Sequence, residues 1–125
     1  MIVLVVDDSA VTRSLIRRTI NLSGLPVDEI LEASDGAEAI QVLASRGADI
    51  LITDINMPGM SGVDLVRAVR GDPQLRSIPV LVVSTDGSHA RRQVMEGLGV
   101  TGYLSKPFRP EDLRAQLAGV VRGAA

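Results

Sequence analysis

Three stretches, Ile2–Val6, Ile50–Thr53 and Val80–Val83, are apolar almost without interruption and rich in β-branched side chains. A strand with one wet face alternates apolar and polar residues. A continuous run instead marks a strand buried on both faces, as in a parallel sheet covered by helices. Two weaker strand candidates are Glu29–Ala33 and Gly102–Ser105. Between the strands, apolar residues recur at helical spacing: Val11, Leu15, Ile16 and Ile20; Ala37, Ile40 and Ala44; Val63, Val66 and Val69; Ala90, Val94 and Leu98; and Leu113, Leu117, Val120 and Val121. Helix starts are signalled by Asp35-x-x-Glu38 and Ser61-x-x-Asp64, which read as capping boxes, and by Pro110 as a first helical residue. Gly24, Gly47, Gly71 and Gly99 fall where left-handed residues end helices.

The pattern is strand then helix, five times over. It predicts an α/β fold: a five-stranded parallel sheet, doubly wound, with right-handed crossovers. At 125 residues the chain reads as a single domain, 1–125, with no linker and no attached output domain. No apolar run approaches the roughly 18 residues that span a bilayer, and the start lacks the features of a signal peptide, so a cytoplasmic protein is expected. There is no Cys and one His, His89, which excludes disulfides, thiol nucleophiles and clustered-His metal sites. With net charge -2 and a pI near 5.3, no basic field for nucleic acid is present.

In an open α/β sheet, ligands bind beyond the carboxyl ends of the strands. Asp7 and Asp8 follow the first apolar run, Asp54 the third strand, Ser84 the fourth and Lys106 the fifth. Lys106 stands out because every other side-chain cation is Arg; it sits between the only two aromatics, Tyr103 and Phe108. Three carboxylates at one rim repel each other unless a cation neutralises them. Oxygen ligands without His or Cys suit a hard ion such as Mg²⁺ or Mn²⁺. A carboxylate is also a competent nucleophile for phosphoryl transfer, which needs positioning and charge neutralisation more than proton chemistry.

Asp7-Asp8, Thr53 to Gly59 (TDINMPG), Val83-Ser84 and Tyr103 to Phe108 (YLSKPF) together resemble the receiver domain of two-component response regulators. The resemblance covers essentially the whole chain and leans toward CheY-type stand-alone regulators. It implies strand order 2-1-3-4-5. It implies that Asp54 accepts a phosphoryl group from a histidine kinase or phosphotransfer protein, that Asp7, Asp8, Asp54 and the Asn56 carbonyl hold the metal, and that Lys106 and Ser84 bind phosphoryl oxygens. Ser84 and Tyr103 would form the switch, altering the face made by the fourth helix, fifth strand and fifth helix, where a downstream protein docks. A cis bond at Lys106-Pro107 belongs to the same implication. Asn56, Thr85 and Asp86 sit where hydrolysis is tuned. Thr85 departs from the small residue usual there, and its β-branched side chain would crowd the phosphoryl group. The implied protein is no enzyme beyond its own phosphorylation and dephosphorylation, and a monomer or a weak, phosphorylation-linked dimer.

Each residue also has a plainer reading. Asp7 and Asp8, with Ser9, could cap a helix; Asp54 could start a turn; Ser84 could bond its own backbone; Tyr103 could cover the core edge. His89 and Arg91-Arg92 read as solvated, Phe108 as packing, and Met57 and Met60 as loop anchors. A flavodoxin would need aromatics to stack on flavin. A dehalogenase-type phosphatase would need Asp-x-Asp after the first strand. A receiver cut from a larger regulator, or one that never takes phosphate, stays open on the residues alone.

Overall fold

Strands and helices alternate along the chain in the computed structural model, which describes residues 1–124: β1 (Ile2–Val6), α1 (Ala10–Leu22), β2 (Glu29–Ala33), α2 (Gly36–Ser45), β3 (Ile50–Thr53), α3 (Gly62–Gly71), β4 (Val80–Ser84), α4 (His89–Gly97), β5 (Gly102–Ser105) and α5 (Pro110–Ala124). The strands pair in parallel in the order β2-β1-β3-β4-β5. Serine and aspartate N-caps open α1 to α4: Ser9, Asp35, Ser61 and Ser88 each accept a backbone N–H three residues on.

The continuous apolar runs are explained by two cores. Leu4, Val6, Leu51, Val80 and Val82 point into the layer holding α2, α3 and α4. Their neighbours Val3, Val5, Ile50, Ile52, Leu81 and Val83 point into the layer holding α1 and α5. Side chains alternate faces along a strand, so both faces must be apolar when both are covered. Each large apolar side chain so buried contributes roughly 1.5–3 kcal/mol.

The helix faces need correction in three places. On α1, Ile16, Thr19 and Ile20 are buried, whereas Val11 is 79% exposed and Leu15 40%. On α2, Gly36, Ala39 and Leu43 are buried and Ile40 packs against the core as expected, but Ala37 and Ala44 face water. On α4, Val94 and Leu98 pack against the core as expected, but the fully buried residue is Met95 and Ala90 is exposed. The expected faces of α3 and α5 are the buried ones. Gly24, Gly47 and Gly99 take positive φ as expected. Gly71 does not, since α3 runs through it to a cap at Asp72; Gly59 does so instead, in the β3–α3 loop.

Candidate functional site

The register decides which strand-end residues meet. Val6 lies opposite Thr53, so Asp7 and Asp54 emerge side by side. The ladder continues past the strands: Asp54 N–H donates to the Val6 carbonyl at 3.0 Å, and Asp7 N–H to Ala33 at 3.1 Å. Both acids are buried, while Asp8 is exposed. Carboxylate oxygens of Asp7, Asp8 and Asp54 lie within 4.8 Å of one another.

Ser84 lies opposite Ser105, which brings Lys106 to the same edge, where its N–H donates to the Ser84 carbonyl at 2.8 Å. The side chain reaches back across β4 and β3. Its Nζ donates to Asp7 Oδ2 at 2.7 Å and to Asp54 Oδ2 at 3.1 Å. Burial of the ammonium opposes its charge, but its hydrogen bond to Asp7 and the field of Asp54 prevail and raise its pKa above the ordinary value. The Lys106-Pro107 bond is cis.

Asp7 is pinned through every polar group. Its Oδ1 accepts from Ser9 N–H at 2.9 Å, and its main-chain carbonyl accepts from Arg13 Nη1 at 2.5 Å. Asp54 Oδ1 accepts from Ile55 N–H at 2.7 Å. The β3–α3 loop is drawn tight against Asp54: Gly62 N–H donates to the Ile55 carbonyl at 2.7 Å, and a Cβ at Gly62 would lie 1.9 Å from the Asp54 carbonyl oxygen.

The cluster sets three carboxylates against one ammonium, a formal excess of two negative charges. Asp8 forms no ion pair among the described residues. An oxygen-only donor set with surplus negative charge fits a hard divalent cation.

The remaining candidates lie around this centre. Ser84 is fully buried, and its Oγ accepts from Asp86 N–H at 3.2 Å. Tyr103 is half-buried, and its hydroxyl donates to the Asp86 main-chain carbonyl. Burial, with Asp86 beside it, raises the phenol's pKa. Asn56 and Thr85 are exposed, two residues beyond Asp54 and one beyond Ser84. The Asp86 carboxylate serves the start of α4, accepting from Ser88 N–H at 3.2 Å and pairing with Arg91 at 3.4 Å. Hydrogen bonds from Ser88 hold it below the usual carboxylate range. His89 is exposed at the start of α4 and Phe108 packs on the core, as expected.

Two contributors escaped the sequence reading, Arg13 and Arg92. Arg92 is not simply solvated: its guanidinium stacks on Tyr103. With twelve arginines in the chain, neither position carried a signal.

A family model described as the response regulator receiver domain matches residues 3–118. The chain is 42% identical over 122 residues to chemotaxis protein CheY1 of Helicobacter pylori, covering 97% of each. It is 41% identical over 119 residues to chemotaxis protein CheY of Pseudomonas aeruginosa, covering 94% of this chain and 93% of that one. Among solved structures, chemotaxis response regulator CheY4 of Vibrio cholerae superposes with a TM-score of 0.85 at 38% identity, covering 95% of this chain and 97% of that one.

Proposed function

The chain belongs to the response regulator receiver domain family and is homologous to CheY chemotaxis regulators, and on that footing we propose that it is a phospho-accepting switch of a chemotaxis-like two-component system. The observation that carries this reading is the convergence of Asp7, Asp8, Asp54 and Lys106 on one edge of the sheet.

In the proposed reaction an Asp54 carboxylate oxygen attacks phosphorus in a phosphohistidine of a kinase or phosphotransfer protein. The new O–P bond forms as the P–N bond breaks, and the departing imidazole keeps the electron pair and takes a proton. The hydrogen bond from Ile55 N–H orients the Asp54 carboxylate. Lys106 supplies a compact charge beside the oxygen that Asp54 presents. Asp8, Asp54 and Asp7, with the Asn56 carbonyl, would hold Mg²⁺ or Mn²⁺, which when bound neutralises charge on the transferring group.

Ser84 uses an acceptor lone pair on Asp86 N–H, so its O–H remains able to donate to a phosphoryl oxygen. Drawing Ser84 inward moves the Asp86 loop, and Tyr103 is tied to that loop through its hydroxyl. The change would reach the face of α4, β5 and α5, where a downstream protein binds. Asn56, Thr85 and Asp86 border the phosphoryl site and set its exposure to water. The protein turns over no separate substrate, so its chemistry is its own modification and its reversal. We place it in the cytoplasm, where ATP-dependent kinases make phosphohistidine.

Intact-mass measurement after acetyl phosphate and Mg²⁺ tests the reading. One added phosphoryl group on the parent and none on Asp54→Asn supports it. No addition to the parent would favour an interaction module that never takes phosphate.

A further inference from the structure

Arg13 occupies a position that the proposed chemistry does not use. It stands one turn into α1 with a side chain only 18% exposed. Its Nε donates to Glu32 Oε1 on β2 at 3.1 Å, and its Nη1 donates to the Asp7 main-chain carbonyl at 2.5 Å. Glu32 is anchored in turn by Arg17, whose Nη2 reaches Oε2 at 2.8 Å. The guanidinium therefore bridges the edge strand and the peptide that joins Asp7 to Asp8. Asp7 needs no such help, being held by Ser9, Lys106 and Ala33. Asp8 has no side-chain partner among the described residues, and the peptide leading into it is the one whose carbonyl Arg13 holds.

We propose that Arg13 is a positioning residue for the cation site: bridging Glu32 to the Asp7 carbonyl, it orients the peptide leading into Asp8 and so sets the affinity for a divalent cation. The inference rests on reading Asp7, Asp8 and Asp54 as that cation's carboxylates. Glu32 has a second part. By engaging Arg13 it keeps the guanidinium from turning to Asp8 and competing for the carboxylate. Arg is suited to this task because its planar fork serves two acceptors at once, which an ammonium on a flexible stem does not.

For Arg13, Coulomb's law and positioning predict opposite signs, whereas for Glu32 both predict weakening. Removing a positive charge near an acidic cluster strengthens cation binding if charge alone matters. Removing a positioning group weakens it, by about tenfold for partners of this kind. The test is calorimetric titration of MnCl₂, without phosphodonor, into the parent, Arg13→Met, Arg13→Lys and Glu32→Gln, with far-ultraviolet circular dichroism to establish folding. The expected result is about tenfold weaker Mn²⁺ binding by Arg13→Met, incomplete recovery by Arg13→Lys, and weakening by Glu32→Gln. Equal or tighter binding by Arg13→Met overturns the inference. Should that variant not fold, parental affinity in both Arg13→Lys and Glu32→Gln overturns it instead. A parent that binds Mn²⁺ while its variants match it sinks only this inference. A parent that binds none sinks it together with the reading beneath it.

Discussion

Arg92 of α4 lays its guanidinium over the ring of Tyr103, 4.5 Å from the centroid, and its Nη2 donates to Ser105 Oγ at 3.2 Å. Tyr103 is thus held at two points, by its face and by its hydroxyl on the Asp86 carbonyl. A cation–π contact of this kind stabilises by about 0.5–1 kcal/mol at a partly exposed site. Arg92→Ala should therefore free the ring for other rotamers. Tyr103 is the chain's one tyrosine and there is no tryptophan, so emission reports on this ring alone. We expect acrylamide quenching to increase in the variant; unchanged quenching would show that the hydroxyl contact suffices.

Gly62→Ala should destabilise the fold by roughly 1–3 kcal/mol, the usual cost of overpacking. The new Cβ would meet the backbone of Asp54 and Ile55, which cannot rotate away as a side chain can. Urea unfolding at equilibrium measures this. A loss below ~0.5 kcal/mol would mean that the β3–α3 loop yields.

Divalent cation should raise the stability of the parent, by about 2.7 kcal/mol at a hundred times the dissociation constant. Asp8→Asn and Asp54→Asn should gain much less from Mg²⁺. Without cation, Asp54→Asn should be the more stable protein, because Asp7 and Asp54 share one ammonium. Thermal melts with and without MgCl₂ give both comparisons. An undiminished Mg²⁺ response in Asp8→Asn would remove Asp8 from the cation site.

Acid should erode one surface network in a stated direction. Burial alone would raise the pKa of Glu32, but hydrogen bonds from Arg17 and Arg13 outweigh it and hold the carboxyl below its ordinary 4.5. A carboxylate depressed on folding contributes stability above its unfolded pKa and loses it as pH falls through the folded value. The stability gap between the parent and Glu32→Gln should be full near neutrality and close at pH below 4.5. A gap that widens in acid would contradict the pairing.

The strands and their edge were legible because several physical constraints agree there. Ile2–Val6 and Val80–Val83 are apolar on both faces because both faces are covered, and β4 extends just one residue further, to Ser84. Asp7, Asp54 and Lys106 follow their strands directly, so a parallel sheet in this register brings them to one edge. Helix phase was harder to read. α2 carries apolar residues on more than one face, and its buried face includes Gly36, which packs closely against Met60. α1 carries two apolar stripes, and its buried face includes Thr19, whose hydroxyl is satisfied by the Leu15 carbonyl at 2.9 Å. Arg13 and Arg92 could not be told from ten other arginines, since their roles lie in what they touch. Lys106, the one lysine, could.

In the proposed reaction Asp54, and no other acid at that edge, takes the phosphoryl group. An acyl phosphate is reduced by borohydride to the alcohol, which turns the modified aspartate into homoserine. Peptide mass mapping after acetyl phosphate, Mg²⁺ and borohydride should find homoserine at position 54 alone. Homoserine at position 7 or 8, or at none of the three, would rule out Asp54 as the acceptor.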